Sequence, residues 1–212
     1  MGLIFRISFK FRWSYILIPL LFTTHLQAES IFSSDYRLVG FGGIYVNSDL
    51  MPISYKLDFK YKQSNLWALG VNRELDWKYS IFKFELEGLV GIHSGAMSHS
   101  EVVGVAIARV PDIFGLPVSI ALGEGQSIAS KTPRLEELRY GIDKGKFNLD
   151  DLETKPWLNY LMFEVDYRLP KYFDNSKLFV RIHHRSGIYG VYCPPTPPCG
   201  SNFLVYGLKI PL

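Results

Sequence analysis

Residues 178–186 are LFVRIHHRS, a stretch in which apolar and polar side chains alternate along the chain. Because strand side chains point to opposite faces with a period of two, the pattern predicts a β-strand. One face carries His184 and Ser186 together with three aliphatic residues, Leu178, Val180 and Ile182. That apolar face is core in a soluble protein and meets lipid in a membrane barrel. The polar pair therefore lies either in a core or against lipid, and the second case suits an enzyme that acts on lipids.

The same alternation recurs along most of the chain and predicts an all-β protein. Nine segments qualify as strands, but single-chain bacterial barrels have an even number, so either one segment is not a strand or two of them merge. The Gly-rich segment 37–46 is the weakest of the nine, and we expect eight strands to remain if it does not span. The candidates are 37–46, 53–63, 65–76, 80–93, 101–110, 117–129, 159–169, 177–189 and 202–211.

Two features favour an eight-stranded antiparallel outer-membrane β-barrel over a soluble β-sandwich or a lipocalin-like barrel. Glu164 and Asp166 share the predicted inner face with Arg181, His183 and Arg185, so these charges can pair inside a narrow lumen. Aromatic side chains also recur near strand ends, as they do in the interface girdles of membrane barrels. These aromatic residues are Trp67, Trp77, Tyr79, Trp157, Tyr160, Tyr172 and Tyr189.

The first 28 residues have the pattern of a secretory signal peptide. A basic start is followed by the apolar run 15–22 and a plausible cleavage site after Ala28. The apolar run is far shorter than the roughly 20 residues of a membrane-spanning helix. We therefore expect residues 1–28 to be removed and residues 29–212 to form a single barrel domain.

The charge balance of the mature chain gives no reason to expect nucleic-acid binding. Removing residues 1–28 removes three basic residues and leaves 20 basic and 20 acidic ones. Nucleic-acid binding needs a concentrated basic face, which this composition does not supply. The polar segment 130–158 is expected to be a long outer loop, with a short helix over 135–140.

Two cysteines bracket the sequence PPTPP in the loop before the last predicted strand. In an exported protein, Cys193 and Cys199 are expected to form a disulfide. Free thiols are the alternative. The spacing of the two cysteines in the sequence is neither that of a C-x-x-C redox pair nor that of a metal site.

Three side chains could form a hydrolytic site near this loop. A nucleophilic serine needs a base within reach, and the base needs an orienting partner. Ser186 and His184 share a face, and Asn202 on the next strand can orient the imidazole. The backbone N–H of Gly187 is expected to be open to the oxyanion of an approaching ester. His93 and His99 lack partners at ligand spacing, so we expect no metal site and no cofactor.

Three segments carry a resemblance to a known family. They are 159–164 (NYLMFE), 181–190 (RIHHRSGIYG) and 200–210 (GSNFLVYGLKI). Together they resemble the C-terminal half of the PagL-type lipid A 3-O-deacylases, also called acyloxyacyl hydrolases. The resemblance implies an eight-stranded outer-membrane barrel that removes an ester-linked acyl chain from lipid A. It also implies that His184 and Ser186 form the family's His-x-Ser motif on the lipid-facing surface.

The chain departs from that family at three positions. Family members use a glutamate where this chain has Asn202, and an asparagine follows their serine where this chain has Gly187. The last residue is Leu212 instead of an aromatic residue.

The hypothesis is a serine esterase of the bacterial outer membrane, with lipid A of lipopolysaccharide as its substrate. The alternatives are a non-catalytic small outer-membrane barrel with binding loops and a soluble periplasmic lipid-binding barrel. Whether the protein forms a homodimer is left open.

Overall fold

The chain folds into one closed barrel of eight antiparallel strands in sequence order, as the alternation predicts. This computed structural model describes residues 36–48, 50–57, 59–136, 154–188, 191–193 and 199–212. The expected signal peptide lies outside these residues. The elements are β1 (Tyr36–Val46), α1 (Leu50–Lys56), β2 (Tyr61–Tyr79), β3 (Phe82–Gly95), β4 (His99–Val110), β5 (Val118–Ala129), β6 (Trp157–Arg168), β7 (Lys177–Ser186) and β8 (Gly200–Pro211), with 3₁₀ turns at Ile113–Gly115 and Lys171–Phe173.

The expectation that segment 37–46 does not span is wrong, because this segment is β1 and closes the barrel. It pairs with β2 on one side and with β8 on the other. Its glycines let neighbours approach: a Cβ at Gly42 would lie 2.5 Å from the ring of Trp67, and one at Gly43 would lie 2.2 Å from Leu204 O. Glycine in a strand thus marks close packing here, which strand propensity alone does not register.

The strand predicted over 53–63 is also wrong in its first half, which forms the short helix α1. β1 pairs with β2 from Tyr61 onward, so no strand edge is left for residues 50–56. A helix satisfies backbone groups locally where no partner strand exists. The apolar residues of the predicted strand do not share one buried face, because Ile53 is buried while Tyr55 and Leu57 are exposed.

The connections divide the barrel into two ends. The connections that follow β1, β3, β5 and β7 start from one end, which we call the loop end. Short turns, including the one after Tyr79, lie at the other, the turn end. The described residues of the outer loop predicted over 130–158 that lie outside β6, 130–136 and 154–156, are at the loop end. The helix expected over 135–140 lies mostly outside the described residues.

Charged side chains pair across part of the lumen, beside a cluster of buried apolar side chains. We call these charged side chains the lumen ion network. Arg181 reaches Glu164 at 2.5 Å and Glu87 at 2.6 Å, which gives the charge pairing expected between β6 and β7. Lys209 lies 2.9 Å from Glu164, and Arg109 lies 2.7 Å from it. The members are Glu85, Glu87, Arg109, Glu164, Asp166, Arg181 and Lys209, all nearly inaccessible to solvent.

The outer surface of the barrel is apolar. Among the described residues, no helix has the length and apolar character needed to cross a membrane. Large aliphatic side chains point outward along the strands, while the charges point inward, which is the reverse of a soluble barrel. The exposed strand side chains include Leu69, Val90, Ile92, Val102, Ile120, Leu122, Val165 and Val180. Of the predicted girdle residues, Trp67, Trp77, Tyr79, Trp157 and Tyr172 are exposed, Tyr160 is buried, and Tyr189 lies outside the described residues.

We expect Glu164→Gln to destabilise the barrel, because it removes the charge of the one carboxylate that contacts Arg109, Arg181 and Lys209 together. Breaking one partner of a buried ion pair costs about 3–5 kcal/mol. Urea unfolding of the protein in phospholipid vesicles measures the change. Glu124→Gln is the matched control, because Glu124 is an exposed carboxylate on neighbouring β5. Equal unfolding midpoints for the two variants would contradict the role given to Glu164.

Candidate functional site

His184 and Ser186 lie on the outer face of β7 at its loop end. In the register between β7 and β8, His184 is directly opposite Asn202, and Ser186 is opposite Gly200. Directly opposed residues of antiparallel strands point to the same face. The three side chains predicted from the sequence are therefore on one side of two neighbouring strands, facing outward.

A chain of two hydrogen bonds defines the state of the imidazole. The amide nitrogen of Asn202 donates to the backbone carbonyl of Ser48 at 2.8 Å. A carbonyl can only accept, so the amide oxygen of Asn202 faces His184 Nδ1, 2.5 Å away. His184 therefore donates its Nδ1–H. A neutral imidazole has one donor and one acceptor nitrogen, so Nε2 carries the lone pair of a general base.

The hydroxyl of Ser186 lies beside a tight turn. The N–H of Ile188 donates to Ser186 Oγ at 3.2 Å, and Ile188 has a φ of 40°. Residues two apart on a strand have Cβ atoms about 7 Å apart. For His184 and Ser186 to make a hydrogen bond, both side chains would have to lean toward each other along the strand.

Asn159 is a polar residue that the sequence analysis did not select. It is directly opposite Ser186 in the register between β6 and β7, and it is buried although it faces outward. Opposed Cβ atoms are about 4.5–5.5 Å apart, so its amide lies within side-chain reach of Ser186. Asn159 could have been found from the sequence by counting residues back from the β6–β7 turn, which places it opposite Ser186.

The N–H of Gly187 is not open, which corrects the expectation from the sequence. It donates to the carbonyl of Cys199 at 3.2 Å and so closes the β7–β8 connection. Cys193 and Cys199 are joined by a disulfide that packs against this glycine. A Cβ at Gly187 would lie 2.0 Å from Cys193 Sγ and 2.7 Å from Cys199 Sγ. Glycine is therefore needed here for space.

Two segments form walls on either side of the polar site. On one side, Ile53 of α1 packs against Val46 and Leu204 and brings Ser48 next to Asn202. On the other side, the hydroxyl of Tyr192 donates to Gln126 Oε1 at 2.7 Å, across the end of β6. The indole N–H of Trp157 donates to the same oxygen at 2.8 Å. The site thus lies on the barrel exterior between these two segments.

An apolar groove of about 570 Å³ lies next to this site, toward the turn end, and its lining includes Phe163, Ile182 and Leu204. In the strand register, Phe163, Ile182 and Leu204 form the row next to His184 and Asn202. Ile53 lies at the rim of the same groove. A long hydrocarbon chain fits a groove of this shape and polarity.

Arg185 points into the lumen and anchors the backbone between His184 and Ser186. It donates to Ser127 Oγ at 2.8 Å and to the carbonyl of Pro156 at 2.9 Å. Its Nε lies 3.0 Å from Glu136 Oε1. Burial raises the pKa of the Glu136 carboxyl, while Arg185 opposes that shift. The inner face of β7 thereby fixes the position of the outward-facing pair.

The structure also brings together residues for which the sequence predicted no metal site. One donor atom each from His93, His99 and Glu101 lie within 4.8 Å of one another, in the lumen at the loop end. His183, expected to pair with Glu164 or Asp166, instead lies 2.6 Å from Glu101. Strand pairing creates this proximity, because His93 and His99 are opposed across β3 and β4.

Comparison with known proteins gives similarity in structure alone. No protein-family model and no curated protein matches the chain. The outer membrane enzyme PagL is similar at 16% identity and a TM-score of 0.48, over 83% of this chain and 99% of that one. Neisserial surface protein A (NspA) is similar at 11% identity and a TM-score of 0.45, over 84% and 97%. At these identities, neither similarity assigns a function to this chain.

We expect Gly187→Ala to displace the disulfide and destabilise the barrel by about 1–3 kcal/mol, as overpacked sites do. In a background with Cys193→Ala and Cys199→Ala, the same change should cost clearly less, because both sulfurs are gone. Urea unfolding in vesicles gives the four values of this double-mutant cycle. Gly88→Ala is the control, since a Cβ there meets no atom within 4 Å. An equal cost in both backgrounds would show that the disulfide is not what requires glycine.

Proposed function

We propose that this chain is an esterase of the bacterial outer membrane that removes an ester-linked acyl chain from lipid A. The observation that carries the proposal is the hydrogen-bond chain from Ser48 through Asn202 to His184. It prepares Nε2 as a base on a lipid-facing surface, two residues from a serine. Polar side chains in an apolar band cost free energy, so an ordered polar cluster at this place favours a function.

In the proposed reaction, Ser186 Oγ attacks the ester carbonyl while His184 Nε2 takes the hydroxyl proton. The tetrahedral intermediate collapses, and the imidazolium gives that proton to the departing sugar oxygen. Water, deprotonated by His184, then attacks the acyl-serine and releases a fatty acid and free Ser186. Asn202 holds the ring in the required tautomer throughout. All of these groups belong to one chain.

The oxyanion needs a donor other than the Gly187 amide, which already bonds to Cys199. We assign this role to the side-chain amide of Asn159, which is opposite Ser186 on the same face. The N–H of Ile188, now on Ser186 Oγ, is next to the same position. Removing one oxyanion donor slows acyl transfer by about 100- to 1,000-fold. Asn159→Ala should therefore lower the rate within that range.

The surroundings of the site suit a lipid with anionic head groups. The acyl chain to be cleaved would lie in the groove beside Phe163, Ile182 and Leu204. Above it, segment 47–62 presents the exposed cations Lys56, Lys60 and Lys62 at the loop end. Lipid A carries phosphates at the head-group level and ester-linked chains below it, which matches this vertical order of charge and apolar surface.

The outer-membrane location rests on the arrangement of the barrel itself. An apolar exterior, a charged lumen and long loops at one end are the properties of outer-membrane barrels. Export through a signal peptide at residues 1–28, with residues 29–212 as the mature barrel, completes this assignment. The resemblance of segments 159–164, 181–190 and 200–210 to PagL-type deacylases points to the same substrate class.

Ser186→Ala and His184→Ala should each abolish deacylation, because one removes the nucleophile and the other the base. Asn202→Ala should lower the rate by about 100-fold, since the ring loses its fixed tautomer. Mass spectrometry of lipid A from cells that express each variant measures the loss of one acyl mass. Ser130→Ala, an exposed serine at the loop end, is the control and should behave as the unaltered chain does. Unchanged lipid A despite correct membrane insertion would favour a non-catalytic barrel.

Phe163→Trp should narrow the groove and slow the release of long acyl chains more than that of short ones. The larger ring occupies volume that the substrate chain would need, and Phe163 is not part of the cluster of Val46, Ile53 and Leu204 that positions Ser48. Rates with synthetic esters of graded chain length, in detergent micelles, give the comparison. Val90→Trp, on the exposed exterior of β3, is the control. The same chain-length profile for both variants would argue against the groove as the acyl site.

A further inference from the structure

The loop end of the lumen contains a cluster of ring nitrogens and a carboxylate that the esterase scheme does not use. His93 and His99 are opposed across β3 and β4, with their rings stacked at 4.0 Å between centroids. Glu101 follows on β4, two residues further along the same inner face. All three side chains are buried, with 2%, 6% and 2% of their surface exposed.

Several polar atoms of this cluster have no hydrogen-bond partner among the described residues. They are both ring nitrogens of His99 and the Nδ1 atoms of His93 and His183. Leaving a buried polar atom without a partner costs free energy. An inner surface that gathers several such nitrogen atoms beside a carboxylate is suited to a ligand that accepts electron pairs.

The spacing of the donor atoms fits a metal ion. His93 Nε2 lies 3.5 Å from Glu101 Oε1, and the third donor, from His99, is within 4.8 Å of both. Zinc binds imidazole nitrogen and carboxylate oxygen at about 2.0–2.2 Å, which places tetrahedral donors about 3.3 Å apart. The in-plane lone pairs of stacked rings run parallel. Binding would therefore require the rings of His93 and His99 to splay by a small rotation.

The neighbours of the cluster hold the carboxylate in place. His183 Nε2 lies 2.6 Å from Glu101 Oε1, and Arg185 lies 3.3 Å from Glu101 Oε2. Glu136 is 3.0 Å from Arg185 and offsets its charge. Two carboxylates therefore face one guanidinium here, which leaves negative charge for a cation.

We propose that the loop end of the lumen binds one divalent transition-metal ion of the zinc class through His93, His99 and Glu101. The two imidazoles are borderline ligands, which favour zinc and its neighbours over calcium or magnesium, and zinc also accepts one carboxylate oxygen beside them. The bound ion would join β3 to β4, and through Glu101 and His183 it would also reach β7. It is separate from the outward-facing Ser186 site, because the barrel wall lies between them.

The test uses the full-length barrel purified in detergent, treated with a chelator and then dialysed. Titration with Co²⁺ should give a visible d–d absorption band that saturates at one ion per chain and is displaced by Zn²⁺. His93→Gln and His99→Gln should each lose the band. His184→Gln, which removes a histidine from the outer face, should keep it. Heat-dependent gel mobility reports whether each variant has formed the barrel.

A second measurement keeps the test decisive if a variant folds poorly. Zn²⁺ should raise the thermal unfolding midpoint of the unaltered chain, and Mg²⁺ at the same concentration should not. Absence of a saturable band in the folded, unaltered chain would overturn the proposal. Retention of the band in both His93→Gln and His99→Gln, or its loss in His184→Gln, would overturn it equally. None of these readouts depends on esterase activity.

Discussion

The carboxylate of Glu164 is the interaction on which the rest of the structure depends. It contacts Arg109, Arg181 and Lys209, and so joins β6 to β4, β7 and β8 through the middle of the lumen. These cations are buried, so unpaired they would cost much free energy. The strand register that places them beside the carboxylates is therefore favoured over other registers. Once Arg181 points inward, the period of two places Arg185 inward and His184 and Ser186 outward. The ion pairs in the lumen thus determine which side chains of β7 face outward at the candidate site.

The local surroundings explain why an amide serves at position 202. Its side chain must face two groups with opposite needs, since His184 offers an N–H and Ser48 offers a carbonyl oxygen. A carboxylate would accept the N–H of His184 but would repel the carbonyl oxygen of Ser48. Asn202 satisfies both and connects the imidazole to the segment that follows β1. Orientation of the base is retained, while charge stabilisation of the imidazolium is given up.

Much of this architecture could be predicted from sequence, and the failures have physical causes. The alternation of apolar and polar residues predicts the strands and the inward-pointing charges, because the face on which a residue lies depends only on its place along its own strand. It could not predict that Gly42 and Gly43 make room for Trp67 and for the backbone of β8, since that depends on neighbouring strands. The same applies to the occupied amide of Gly187 and to the clustering of His93 with His99. Those features arise from register, which pairs residues that are remote or unremarkable along the chain.

The hydrogen bond between Asn202 and Ser48 crosses the seam where the first and last strands meet. In the register of that seam, Asn202 is opposite Val46. These two strands are the most distant in the sequence, and their pairing is what completes the cylinder. A chain that has inserted without closing would therefore lack the contact with Ser48 that fixes which way the Asn202 amide faces His184. In the proposed esterase, the base would be oriented only at the final step of assembly, when the first and last strands pair.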